Sequence, residues 1–343
     1  MDLGGLWYWF LGAMLAVYVV LDGFDLGAGA VLPLVAHNHR ERSLVIRSLG
    51  PVWDGNEVWL IAAGGILFLA FPRVYAASFS GFYLPLTLVL WLLTFRALGI
   101  ELYHHLASTV WRPLFEFSFS AASALLIVIL GAALGNVVRG VETDAQGHFF
   151  LTLFTDFSAR PPLGILDWYT LLAAATALVA LARHGAFWLN WKCTGPVQAR
   201  AQEVARRLEL LLIALALLLT AATVRVQPLA AQALELNPWT WAFPALACVG
   251  LGVSNVALKR GHELTAWLGS ALFLVGLLGS AAAGLYPTLL PASGPGQSLT
   301  VANSASPPYA LGAGLAWWLP GMALAGAYFV ALYRGLPRKF SED

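Results

Sequence analysis

Nine long apolar stretches constrain the fold of this chain more than any other feature of its sequence. They cover residues about 7–35, 53–71, 78–100, 116–138, 167–190, 207–227, 240–258, 263–286 and 314–333. Each is long enough to cross the ~30 Å hydrocarbon core of a bilayer as a helix. Lipid offers no partners to backbone polar groups, so spanning segments of this kind form helices. We therefore predict an all-α polytopic membrane protein, a single integral membrane domain over residues 1–343.

Composition supports this class and excludes several others. The chain is 59% hydrophobic and only 11% charged, whereas soluble domains are about 45–50% apolar and about 25% charged. A net charge of +1 excludes nucleic-acid binding, which needs a dense positive field. The two cysteines, Cys193 and Cys248, form no CxxC motif, which argues against a disulfide framework, an iron–sulfur cluster and a thiolate zinc site.

The distribution of Lys and Arg predicts the orientation of the chain. With nine spans, thirteen of these residues fall in the loops on one side of the membrane and four in the loops on the other. Cytoplasmic loops carry the excess of positive charge. We expect the N-terminus outside and the C-terminus in the cytoplasm. The helices could form two four-helix bundles with one peripheral helix, although the two halves share no sequence repeat.

Ionisable residues are concentrated in the first three spans, and spans 5–9 carry few features of this kind. An ionised Asp at the centre of a membrane helix costs about 2.5–3.5 kcal/mol on insertion scales. Such groups often belong to proton or ion traffic. With the predicted orientation, most of them gather in the cytoplasmic half of the membrane, where they could conduct protons inward. The candidate residues are Asp22, Asp25, Asp54, Glu57, Arg96 and Glu101.

Structural roles are the alternative for each of these residues. Arg96, expected near the cytoplasmic end of the third span, could neutralise one or two carboxylates and hold three helices together, because a buried charge needs a partner. Asp22 fits a structural role and a proton path equally well. Glu57 and Glu101 could be interfacial surface residues. Small residues are simpler to interpret: Gly23 and Gly27 form a GxxxG motif that lets the first span approach another helix closely.

The histidines and tryptophans complete the set of candidate residues. No histidine is expected at mid-span, and only His184 is expected within the membrane edge. We therefore predict that this chain ligates no haem and no metal, since haem in a helical bundle needs an inward-facing axial ligand. Two histidine pairs are expected to be solvated loop residues: His37 with His39, and His104 with His105. Trp53 and Trp59 flank the acidic motif, and packing explains both.

Four motifs in residues 20–101 carry a family resemblance. They are the run Asp22–Gly27 (DGFDLG), the run Pro51–Trp59 (PVWDGNEVW), Phe71-Pro72 with Tyr75-Ala76, and Phe95-Arg96. Together they resemble subunit II of the cytochrome bd quinol oxidases, and the span count agrees over the full length. The PVWDGNEVW match is highly specific, whereas DGFD alone is weaker.

This resemblance implies a subunit of a bacterial respiratory complex in the inner membrane that oxidises quinol and reduces oxygen to water. Subunit I of the family holds haems b and d and the quinol site, and subunit II packs against it without a haem. The resemblance also implies further partners: membrane lipid, small single-helix accessory subunits, and a structural quinone held by subunit II in some members.

Individual residues match the family's motifs. Asp54 matches a proton-path aspartate, Asp25 matches the second Asp of DGFD, and Arg96 matches an arginine after an aromatic residue. Trp59, with Trp53 beside the motif, matches a tryptophan bordering an apolar route for oxygen. Glu57 departs from members that carry Gln at this position, so an added carboxylate here either extends a proton relay or faces water.

Two rival functions stay open at this point. A proton-coupled secondary transporter also uses membrane carboxylates, but such proteins commonly contain internal repeats and broken helices at the midplane. The odd span count and the missing repeat argue against a transporter. A purely structural scaffold for subunit I is the other alternative, in which the carboxylates serve assembly.

Overall fold

The computed structural model describes residues 2–105 and 111–341, except the side chains of 104 and 105. The prediction that His104 and His105 are solvated concerns side chains outside the described part of the structure. A 3₁₀ turn, Pro238–Trp241, precedes α10, and a short hairpin pairs β1 (Thr288–Leu290) with β2 (Leu299–Thr300). The α-helices are α1 (Leu3–Val35), α2 (His39–Leu49), α3 (Trp53–Ala70), α4 (Pro72–Gly81), α5 (Tyr83–His105), α6 (Trp111–Arg139), α7 (Trp168–Lys192), α8 (Gly195–Val226), α9 (Pro228–Leu236), α10 (Ala242–Arg260), α11 (Glu263–Leu285), α12 (Val301–Ser304) and α13 (Pro308–Gly335).

The helices agree with the predicted all-α membrane fold. Within the described residues, eight helices are each long and apolar enough to cross a membrane: α1, α5, α6, α7, α8, α10, α11 and α13. The pair α2–α3 meets the same criterion together and is bent by 48°. The nine predicted spans correspond to these eight helices and to α3.

The predicted boundaries were wrong around the third span. Residues Pro72–Gly81 form a separate helix, α4, and α5 begins only at Tyr83. Pro72 occupies the first position of α4, where the missing N–H of proline costs nothing. The sequence predicted Arg96 near the end of the third span. Because α5 continues to His105, Arg96 instead lies inside the helix.

Helix α1 lies at the centre of the molecule, in contact with α3, α6, α7 and α11. It crosses α7 where Gly27 meets Gly185. A Cβ atom on Gly27 would overlap the carbonyl oxygen of Leu181, and one on Gly185 would overlap the backbone of Ala28. The predicted close approach of the first span is thus confirmed, and glycine is required on both sides of this crossing.

The helix contacts divide the molecule into two groups. Helices α3 and α6 pack on α1, with α5 against α6, while α8 and α11 pack on α7, with α10 against α11. Contacts of α1 and α6 with α7, and of α1 with α11, join the groups. Helix α13 lies against α1 and α3, and most of its side chains are exposed or half-buried. This arrangement agrees with two four-helix bundles and one peripheral helix.

Three connecting segments cover one end of the helices. The segment after α6 and the segment after α11 are joined where Val141 N–H donates to the Pro291 carbonyl and Ser293 N–H donates to the Val141 carbonyl. Arg73 of α4 donates to the carbonyls of Asn303 and Gln146. The segment after α11 contains the hairpin and α12.

Candidate functional site

The most deeply buried charges in spans 1–3 form an ion pair between α1 and α5. The side chains of Arg96 and Asp22 are both 0% exposed. One guanidinium nitrogen of Arg96 lies 2.5 Å from Asp22 Oδ1 and the other 3.1 Å from Oδ2. Such two-point pairing is the strongest geometry available to a guanidinium and a carboxylate. Arg96 is therefore a structural partner of Asp22, as one of the sequence-based alternatives proposed.

Asp25 lies one turn further along α1 and is also fully buried. Its Oδ2 accepts a hydrogen bond of 2.8 Å from Asn56 Nδ2 of α3 and lies 3.9 Å from Arg96. Its Oδ1 is buried and has no hydrogen-bond partner among the described residues. Unpartnered buried polar atoms are rare in folded proteins.

Glu57 joins the same cluster from α3. Its Oε1 lies 3.8 Å from Arg96, and its side chain is 20% exposed. Of the residues expected to gather in the cytoplasmic half, Asp25, Glu57 and Arg96 lie together, and Asp22 lies with them. We call these four residues, with Asn56, the Arg96 cluster. It brings three carboxylates to one guanidinium, so full ionisation would leave an excess of negative charge in a low-dielectric interior.

Two predicted members lie outside the Arg96 cluster. Asp54 is in the first turn of α3, one turn before Glu57, and its side chain is exposed. Glu101 is exposed on α5 beyond Arg96. Neither side chain is among the ion-pair partners of Arg96 within the described part of the chain. Helix geometry explains the split. The side chains of Asp54 and Glu101 point to the surface, whereas those of Glu57 and Arg96 point toward the buried carboxylates of α1.

The two tryptophans lie on α3 in different settings. The ring of Trp59 lies 5.2 Å from that of Phe329 on α13, and its indole N–H is buried without a hydrogen-bond partner among the described residues. Trp53 is half-buried and packs against the apolar core at the ends of α1 and α7. Packing accounts for both positions, and the oxygen route stays a prediction.

Two polar residues of this site were not predicted from the sequence. Asn56 is fully buried and binds both Asp25 and the Leu21 carbonyl, the latter at 3.3 Å. Tyr333 of α13 donates to Asn56 Oδ1 at 2.9 Å. The specific PVWDGNEVW motif could have pointed to Asn56. Nothing in the sequence pointed to Tyr333, which is 277 residues away from Asn56.

The expectation that spans 5–9 are nearly featureless was wrong. Arg183 of α7 is buried and donates to the Ala205 carbonyl, Ser254 and Asn255. The next residue, His184, is 0% exposed and contacts α1 at Val20, near the middle of that helix. The sequence predicted His184 at the membrane edge because its depth was inferred from the apolar length of that span alone, without the helices that pack against α7.

The described residues offer no evident place for a haem iron or another metal. No group of three or more His, Cys, Asp or Glu side chains that could hold a metal ion occurs in residues covered by the structure. Both ring nitrogens of His184 are engaged, one with Ser270 Oγ at 3.0 Å and one with the Val20 carbonyl at 2.9 Å. That this chain ligates no haem stays a prediction.

Comparison with known protein families shows to which family this chain belongs. Residues 3–336 match the family described as cytochrome bd terminal oxidase subunit II. The chain belongs to this family. The match covers all nine spans, so the family membership applies to the whole membrane domain.

Relatives and a solved structure agree with this family. The chain is 32% identical to a probable cytochrome oxidase subunit 2 of Haemophilus influenzae, over 96% of this chain and 92% of that protein. It is 30% identical to the cytochrome bd-I ubiquinol oxidase subunit 2 of Escherichia coli K12, over 84% and 82%. The fold matches a chain in the structure of bd oxidase from Geobacillus thermodenitrificans with a TM-score of 0.77, at 18% identity over 97% and 98% of the chains.

Proposed function

We propose that this chain is the haem-free subunit II of a bacterial quinol oxidase and supplies protons from the cytoplasm for oxygen reduction. The family membership and the relatives named as ubiquinol oxidase subunits support this assignment. Its spans make it a multi-pass protein of the bacterial inner membrane. Haems b and d, held by subunit I, supply electron transfer to oxygen. The role of this chain is then to bind subunit I and to move protons.

A single observation supports the proton path most strongly: acidic side chains lead from an exposed helix end to a buried cluster. Asp54 is exposed at the start of α3, and Glu57 follows one turn later with partial exposure. Beyond Glu57 lie Arg96 and the fully buried Asp22 and Asp25. Protons entering at Asp54 would pass to Glu57 and then to Asp25.

Charge balance in the Arg96 cluster favours such a role. One guanidinium faces three carboxylates, and an uncompensated buried charge costs several kcal/mol, of the order of 3–5. A proton shared among these carboxylates would remove the excess of negative charge, as in other coupled acidic sites. A proton held in this way can be exchanged when a neighbouring group gains or loses charge, which is what a relay needs.

The predicted orientation gives the path a direction. With the N-terminus outside, the start of α3 faces the cytoplasm, so Asp54 would collect protons there. Quinol oxidised near the outer face would release its protons outside. Charge separation across the membrane then follows from geometry without a pump.

Replacement of Asp54 by Asn in the intact complex tests this proposal. We expect oxygen consumption to fall at least about tenfold, since a positioned proton-transfer group contributes roughly 10²–10⁴-fold. Haem content and assembly should be unchanged, because the Asp54 side chain is exposed in this chain. Glu203→Gln is the control: Glu203 is an exposed acid on α8, paired with Arg207.

The outcome separates the proposed function from the structural alternative. An assembled Asp54→Asn complex with normal oxygen consumption and proton uptake would leave subunit II as a scaffold. Asp25→Asn should slow turnover as well, and measured haem content distinguishes slow turnover from poor assembly. The oxygen route along Trp59 and Trp53, the part of Glu101, the structural quinone and the accessory subunits stay predictions.

A further inference from the structure

Helix α13 reaches the Arg96 cluster through one side chain. Most of this helix is exposed or half-buried, and it packs at the edge of the molecule. Tyr333, close to its C-terminal end, points inward and donates a hydrogen bond of 2.9 Å to Asn56 Oδ1. A peripheral helix thereby contacts the most buried polar group of α3.

The surroundings of Asn56 fix the orientation of its amide. The Leu21 carbonyl can only accept a hydrogen bond, so the amide nitrogen must face it, and that contact is 3.3 Å. The amide oxygen then faces Tyr333, whose hydroxyl donates to it. In this orientation the second N–H of the amide points at Asp25 Oδ2, 2.8 Å away.

This orientation makes the two oxygens of Asp25 unequal. Oδ2 accepts from Asn56 and is the oxygen nearer to Arg96, at 3.9 Å. A proton on Oδ2 would oppose the N–H of Asn56. Oδ1 is buried and has no hydrogen-bond partner in the described parts of the chain. Whenever Asp25 is protonated, its proton therefore belongs on Oδ1.

We infer that Tyr333 is a positioning residue: by locking the Asn56 amide, it confines the exchangeable proton of Asp25 to Oδ1. This inference rests on the proposed proton path and names a residue of that path outside the acidic motifs. No covalent bond other than O–H changes. Asp25 gains its proton at Oδ1 and releases it from the same oxygen.

Other groups around Asp25 act on it as well. Asp22 and Glu57 carry like charge, and Arg96 carries the opposite charge. Asn56 and Tyr333 contribute neutral hydrogen bonds. One ring nitrogen of His184 contacts the Val20 carbonyl of α1, and its other ring nitrogen contacts Ser270. Removal of the Tyr333 hydroxyl changes none of the charges, so its effect reports the orientation of Asn56 alone.

Tyr333→Phe in the intact complex tests the inference by infrared difference spectroscopy and by the pH profile of oxygen consumption. The carboxylic C=O band of Asp25 is first identified as the band lost in Asp25→Asn. In Tyr333→Phe we expect this band to move to higher frequency, because Asn56 donates less strongly to Oδ2. We also expect the pH profile to move upward by ~0.5–1 unit, as for the loss of one neutral hydrogen bond.

Two controls make the result specific. Tyr328→Phe removes the hydroxyl of an exposed tyrosine on the same helix and should change neither the band nor the profile. In an Asn56→Ala background, Tyr333→Phe should have no further effect, because Tyr333 acts only through Asn56. A full effect in that background would contradict the inference.

The possible failures are distinguishable. An Asp25 band and a pH profile unchanged in an assembled Tyr333→Phe complex would overturn the positioning role, even if Asp25→Asn slows turnover. Absence of any band lost in Asp25→Asn would also overturn it, since Asp25 would then carry no proton. Normal turnover in both Asp54→Asn and Asp25→Asn would instead refute the proposed proton path.

Discussion

At the scale of single residues, burial decides which charges of this chain act together. Arg96, Asp22 and Asp25 are all 0% exposed, whereas Asp54 and Glu101 lie at the surface. The separation follows from the direction in which each side chain leaves its helix.

Arg96→Leu should destabilise the complex by about 3–5 kcal/mol, because Asp22 would stay buried without its cation. The measurement is the thermal unfolding midpoint of the detergent-solubilised complex. Arg207→Leu is the matched control: its pair with Glu203 is exposed, and such i,i+4 pairs contribute about 0.3–0.5 kcal/mol.

A double variant, Arg96→Leu with Asp22→Leu, should recover much of the lost stability, since replacing a whole buried ion pair by apolar residues is often neutral. Equal stability of Arg96→Leu and Arg207→Leu would contradict the structural role of the Arg96–Asp22 pair.

At the scale of helices, the crossing of α1 and α7 holds the two groups of helices together. The backbones touch at Gly27 and Gly185, so neither helix tolerates a side chain there. In membranes such small-residue contacts replace the hydrophobic effect as a source of helix association. The crossing also brings His184 of α7 against α1 at the Val20 carbonyl.

Gly27→Ala should lower the stability of the complex by ~1–3 kcal/mol, the usual cost of overpacking, because the new methyl group meets backbone atoms of α7 that cannot rotate away. Gly252→Ala on α10 is the control, since nothing lies within 4 Å of its added Cβ. Thermal unfolding of both variants gives the comparison. An unfolding midpoint that falls equally in both would show that the crossing is not tight.

At the scale of the whole molecule, the chain has two different ends. Helix α4 and the connecting segments after α6 and α11 are hydrogen-bonded to each other at one end. At the other end, the segment after α13 is tied to the ends of α2 and α7: Phe340 N–H donates to the Lys192 carbonyl, and Arg47 donates to the Ser341 carbonyl. The excess of Lys and Arg at this second end predicts that it faces the cytoplasm.

Cysteine labelling tests this orientation. In spheroplasts, an impermeant maleimide should label a Gly294→Cys variant, because this turn lies between the two strands at the outer end. It should label Arg260→Cys, at the end of α10, only after permeabilisation. Both variants carry Cys248→Ser, since Cys248 is exposed while Cys193 is buried. The reverse labelling pattern would invert the predicted topology and the direction of the proton path.

The sequence by itself determined the class of fold, the number of spans and the family. These depend on long-range averages such as apolar length and charge bias, and on the contiguous PVWDGNEVW motif, which require no knowledge of contacts. It also identified Asp25, Asp54, Glu57, Arg96 and Glu101 as residues of the cytoplasmic half of the membrane, because topology brings these helix positions to one side.

Only the tertiary structure decided how these residues are connected. It joined Tyr333 to Asn56 across 277 residues, placed His184 against α1, and left Asp54 exposed. Each of these facts depends on the rotation of one helix against another. The apolar spans are hydrophobic on nearly all sides, so their sequence does not show which face meets a neighbour. Packing between helices fixes that rotation, and with it which oxygen of Asp25 has no hydrogen-bond partner among the described residues.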